Sequence, residues 1–394
     1  MTGVILSFVG TVIGSVWMLS LFGVTLPEQV LSIFKVHRIF QLNGFVTLMI
    51  MGVGYMIIPR MRNNLTPSNN LAKISYLFVI CSIGVDFAGS VLSSDYSKIS
   101  TILRLIGVSI FCGLMFYMLR IVPKLLRESD HFIAISLSAL IASQVVSLFD
   151  VQQNLLIQKQ MWLFFPILMI FAIQYKTLPS FLGFLRPKRK LLLAAITLAI
   201  ISGILGITSA VVPFVDIAFN ISMIAMVTSF ALSLYIYGGF DNTEILKLIT
   251  GEKKKRYHLI ILHTRIAYGF LLVALMLGTI HAANLTNFAL YDLTIHYTAI
   301  GFIGITIMLY MPLMIPPILE KPIRFLDFNH IPLVLILVAL GIRTIGDVVL
   351  SSMLREQAMI VFGISGFVVL AGMFLFVRMI HRAMKNPDSE LSIV

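Results

Sequence analysis

Eight histidines carry most of the coordination chemistry open to this sequence. His37 stands at the mouth of the apolar run VHRIFQLNGFVTLMIMGVGYMIIP, His281 closes LLVALMLGTIH, and His296 opens IHYTAIGFIGITIM. Neutral imidazole is the usual axial ligand of haem iron and a good ligand for copper, and a haem buried between helices needs one or two such nitrogens. His37 with His296 or His281 is therefore the natural pair. Solvation or ordinary hydrogen bonding at a membrane interface is the plain alternative for any one of them taken alone.

The face of the helix below His37 adds to this pattern. At 100° per residue, Gln41, Gly44, Leu48, Gly52 and Tyr55 fall within about 60° of His37. Gly44 and Gly52 could let a flat macrocycle lie against the backbone, and close packing of small residues between helices explains them as well. Cys81 and Cys112 stand alone in apolar runs. With no CxxCH, a bound haem would be of b rather than c type.

Five ionisable residues, Asp86, Arg104, Asp216, Arg343 and Asp347, fall inside apolar runs, where such groups are candidates for function. Arg343 could neutralise the propionates of a haem. It also stands four residues before Asp347, so the two could satisfy each other as a structural ion pair. A proton or substrate path would draw on the same residues.

The elements that must hold these side chains are membrane helices. Apolar residues make up 59% of the 394 and Asp, Glu, Lys and Arg only 12%, against about 25% charged in soluble domains. Runs of spanning length lie near 4–24, 37–59, 72–93, 101–122, 132–150, 160–178, 191–211, 214–238, 258–282, 293–316, 331–350 and 357–380. The expectation is an all-α, polytopic bundle of about twelve transmembrane helices forming one domain over 1–394. The N-terminal run lacks a basic flank and a clear small-residue cleavage pattern, so it reads as a retained first span.

With both termini in the cytoplasm, the inner segments hold 21 of the 29 Lys and Arg residues, which sets the orientation in the plasma membrane. His37, His281 and His296 then lie near the outer face and His263 at the inner side. His263 is 18 residues from His281, about 27 Å of helix, so one metal cannot use both. The net charge of +12 sits in short loops and gives no reason to invoke nucleic acid. The run GEKKKR lacks the glycine spacing of a phosphate loop.

A weak internal repeat joins two of the runs. GFVTLMIMGVGYMIIP, from Gly44, and GFIGITIMLYMPLMIP, from Gly301, match at six of sixteen positions, each preceded by a histidine. With these segments the chain resembles the NnrS family, membrane proteins associated with haem, copper and nitric oxide metabolism. His37, Gly44, Phe45 and Pro59 match one family helix, while Ile39 and Phe40 stand where the family has a second histidine and a glutamate. Pro179 and Phe181 match a second motif. LHTRIAYGF and IHYTAIGFIG resemble two later ones, which place His263, His296 and Gly304, and Arg343 sits where the following span often has an arginine. The family's Gly-His-Thr-Gly ending is replaced by MPLMIPPILEKP.

The resemblance implies the twelve-helix architecture of haem-copper oxidase subunit I. It also implies haem, with copper as an optional second metal, and cofactor contacts from His37, His296, His263, Arg343 and Gly44, to which the outer-face and helical-face readings above add His281 and Gly52. The partners implied are the lipid bilayer, a small diatomic gas such as nitric oxide, and a respiratory electron donor. Two other functions fit the same composition: a proton-coupled secondary transporter without cofactor, and a non-catalytic subunit of a respiratory complex. No acid–base pair, nucleophile motif or phosphate loop is written in the sequence, so redox haem chemistry is the one enzymatic activity left open.

Overall fold

The computed structural model describes residues 2–18, 20, 25–28, 36–61, 68–92, 96–120, 128–149, 154–182, 187–209, 212, 214–237, 251–283, 288–318, 330–350 and 355–385. Every regular element among them is helical. In hydrocarbon each backbone N–H and C=O must find its partner within its own segment, and helices achieve that.

In chain order, α1 is Thr2–Met18, and α2 covers 36–61, passing through a π segment, Phe40–Thr47, into an α segment, Leu48–Met61. Then come α3 (Asn69–Val91), α4 (Ser97–Arg120), α5 (Glu128–Val146), α6 (Asn154–Leu182), α7 (Arg189–Thr208), α8 (Val215–Ser233) and α9 (Gly251–Ala283). α10 joins Phe288–His296 to a π segment, Tyr297–Gly304, and an α segment, Ile305–Ile318. α11 is Ile331–Thr344 followed by a π segment, Ile345–Leu350, and α12 is Arg355–Lys385.

Among the described residues ten helices, α2 to α10 and α12, are long and apolar enough to cross a bilayer, which makes the chain a multi-pass membrane protein. α1 is a shorter apolar helix, and α11 divides its length between 14 α-helical and 6 π-helical residues. Residues 21–24 of the first expected run lie outside the described residues. So do 121–127, 183–186, 238–250 and 319–329, which carry part of the basic charge behind the expected orientation.

The chain divides into two compact units, Met1–Leu234 with Gly278–Asn287, and Tyr235–Leu277 with Phe288–Val394. In the first, sequence neighbours pack as hairpins: α3 on α4, α5 on α6, α7 on α8. Its core includes Phe171 stacked on Phe230 at 4.0 Å, with Phe132 edge-on to both. α6 is 78% buried along its span and α3 only 28%, so α3 turns apolar side chains such as Leu77 outward, as a lipid-facing helix does. In the second unit α10 is the enclosed helix, 72% buried, and α12 is 33% buried.

The sequence repeat is matched by the backbone. Both π segments have 8 residues and carry Gly-Phe at the fifth and sixth (Gly44-Phe45, Gly301-Phe302); both α segments that follow have 14 and carry proline at the twelfth (Pro59, Pro316). π turns are uncommon and concentrate at functional sites. In α2 the Thr47 hydroxyl donates to the Leu42 carbonyl five residues back, at 3.1 Å, supporting the wide turn.

The glycine of each Gly-Phe pair also receives the preceding helix. A Cβ on Gly44 would stand 2.9 Å from Leu6 of α1, and one on Gly301 would stand 2.6 Å from the Phe270 ring of α9. Gly301→Ala is therefore expected to cost about 1–3 kcal/mol through overpacking. Gly341→Ala, where nothing lies within 4 Å of the added carbon, should be neutral or mildly stabilising. Thermal unfolding of the two variants in detergent checks the contrast.

Candidate functional site

The mouth of α2 is built against α1. His37 Nδ1 lies 2.6 Å from the Gly10 carbonyl, which can only accept, so Nδ1 carries the proton. The imidazole lies over Gly14, where a Cβ would come within 2.8 Å of the ring. One turn on, the Gln41 amide donates to the Ser7 carbonyl and the Thr11 hydroxyl, both at 3.0 Å, and accepts from the Ser7 hydroxyl at 3.1 Å. Leu6 then fills the notch at Gly44. The polar and glycine face of α2 is thus a close helix–helix seam, which is the packing explanation of Gly44.

Gly52 does not share that seam. No atom lies within 4 Å of where its Cβ would be. The eight π residues between His37 and Gly52 turn less per residue than an α-helix, so the projection that stacked Gly52 and Tyr55 under His37 slips.

At the mouth of α10 the second unit gathers a denser set of groups. Arg343 of α11 holds Asp292 of α10 in a two-point grip, Nε to Oδ2 at 2.6 Å and Nη2 to Oδ1 at 2.9 Å. His296, one turn beyond Asp292, directs Nδ1 to the Asp292 carbonyl at 2.9 Å and lies 3.2 Å from Oδ2. The Tyr297 hydroxyl meets the Thr344 hydroxyl beside Arg343. Asp292 and Arg343 are each 7% exposed and Asp347, one turn beyond Arg343, is 5% exposed.

Two of the predicted site residues, His296 and Arg343, are therefore brought together by a third, Asp292, that the sequence reading passed over. It was missed because the apolar run was started at 293, whereas the helix begins at Phe288. The available signal was an acid four residues before a histidine, a same-face spacing on any helix. The fork of Arg343 goes to Asp292 across helices, so the pairing inferred within α11 between Arg343 and Asp347 is not its main contact.

The other predicted residues have surroundings of their own. His263 on α9 is buried, holds the Leu259 carbonyl through Nδ1 at 2.9 Å, and has the His330 ring 6.4 Å away. His281 lies half-buried in the last turn of α9. Gly304 ends the π segment of α10. Of the charges inside the runs, Asp86 pairs with Arg104 at 3.1 Å, and the Asp216 carboxylate accepts from the Gln160 amide. Among the described residues no group of three or more His, Cys, Asp or Glu is arranged to hold a metal ion. A haem iron asks for only one or two imidazoles.

The donor chemistry at His37 and His296 fits such an iron. Each Nδ1 is committed to an oxygen, the arrangement that fixes the tautomer and ring plane of metal-ligating histidines. The glycine face of α2 does not fit a macrocycle at Gly44, because Leu6 already occupies it. A scan against protein-family models and a search of curated proteins find no match for this chain.

Proposed function

We propose that the chain is a membrane haem protein of the NnrS type, with about twelve transmembrane helices arranged as in the catalytic subunit of haem-copper oxidases and both termini in the cytoplasm. It binds or handles a small diatomic gas such as nitric oxide, or supports respiration under nitrosative stress. One observation carries the reading: two helices of matching π-then-α construction each have, just before the π segment, a histidine whose Nδ1 is held by an oxygen. His37 and His296 would each offer haem iron an imidazole ligand. His281 would assist nearby, and His263, beside His330, would serve an inner site or be structural. Bound haem would supply an iron centre able to take a diatomic ligand and exchange an electron with a respiratory donor.

The chain's own residues orient the imidazoles. The Gly10 carbonyl fixes His37, and Asp292 with Arg343 fixes His296. Arg343 is already neutralised by Asp292, so its charge is largely committed before any propionate binds.

Buried ionisable contacts in both units, Asp86 with Arg104 and Asp292 with Arg343, favour a second reading as a proton-coupled transporter. An optical spectrum separates the two. Protein purified after expression with a haem supply is expected to show a Soret band that is lost in the His37→Ala/His296→Ala double variant. Colourless protein from the same expression would defeat the haem reading and leave the transporter.

A further inference from the structure

Of the three histidines whose Nδ1 contacts are described above, His37 and His263 meet a backbone carbonyl, while His296 meets both a carbonyl and a carboxylate. That carboxylate cannot swing away. Arg343 grips both of its oxygens, and the same Oδ2 that takes the guanidinium Nε lies beside the imidazole. The Tyr297–Thr344 contact fixes the register of α10 on α11 one residue from each partner. A fixed negative charge at an Nδ1–H makes the imidazole a more basic, electron-rich ligand and fixes its ring plane.

We propose that Asp292, clamped by Arg343, is the positioning residue that orients His296 as a haem ligand and makes it a stronger donor to iron than a histidine held by a carbonyl alone. The proposal rests on the haem reading above. A stronger donor stabilises the ferric state, so the haem held by His296 has a lower reduction potential with Asp292 in place than without it. Asparagine at 292 keeps the shape and an acceptor oxygen while removing the charge.

The test uses the full chain, purified with its haem, as the parent, Asp292→Asn and Asp292→Glu. Haem content and midpoint potential are read from the Soret band during a redox titration. The expected result is an upward shift of the potential in Asp292→Asn that is reversed in Asp292→Glu. Asp292→Asn that folds but loses haem, with haem recovered in Asp292→Glu, supports the same role. Unchanged potential at full haem content overturns the proposal and leaves the haem reading standing; a colourless parent overturns both. Should Asp292→Asn fail to fold, nitrogen-15 NMR of the parent's diamagnetic ferrous carbon monoxide form decides. An Nδ1–H shift displaced toward imidazolate character, as a carboxylate partner produces, agrees with the assignment; a shift like that of a carbonyl-held imidazole, or a proton on Nε2, refutes it.

Discussion

Arg343→Ala is expected to destabilise the protein by about 3–5 kcal/mol, the range for breaking a buried ion pair by deleting one partner. The guanidinium is the cation gripping Asp292, and Asp347 lies buried one turn along the same helix. Its loss therefore leaves two carboxylates in the interior. Asp292→Ala should cost less, because Asp347 stands four residues from Arg343 and can take up part of the released charge. Thermal unfolding in detergent, with the two variants side by side, reads the order. Equal losses would mean that Asp347 contributes nothing to holding the arginine.

That asymmetry also shows what the sequence could and could not reveal. The apolar runs were legible because lipid imposes a length and an internal hydrogen-bond pattern on any span, and ten of them recur as helices of spanning length. Helix starts were less legible. Asp292 falls just outside the apolar run near 293–316, although the helix runs through it from Phe288. Partners across helices were not legible at all. Spacing offered Asp347 to Arg343, and only packing brings α10 and α11 together so that Asp292 takes the fork.

The mouth of α2 teaches a related lesson. His37, Gln41 and Gly44 share a face as the periodicity implied, but that face belongs to α1, whose Ser7, Gly10, Thr11 and Gly14 provide matching oxygens and clearances. Small and polar residues spaced along a membrane helix serve a cofactor or a neighbouring helix equally well. Periodicity alone also assumed one helical pitch throughout. The π segments of α2 and α10 break that assumption, and the Gly-Phe match was the trace they left in the sequence.

Arg104→Ala is the second change expected to be severe, again about 3–5 kcal/mol, for a reason that separates architecture from activity. Arg104 of α4 reaches Asp86 of α3 at 3.1 Å, Gln144 of α5 at 2.7 Å and Thr101 at 3.3 Å, so it ties three helices through one guanidinium. The Asp86 carboxylate also accepts from the Ser100 hydroxyl. Deleting the arginine strands a carboxylate and an amide oxygen together. Replacing both charges, as Arg104→Met with Asp86→Leu, removes the desolvation penalty as well as the attraction and should recover most of the lost stability. The double variant then isolates function. If it folds and keeps its Soret band, the Asp86–Arg104 pair is a tie between helices. If it folds as well as the parent and yet loses proton-driven transport in vesicles, the pair belongs to a proton path and the transporter reading gains its evidence.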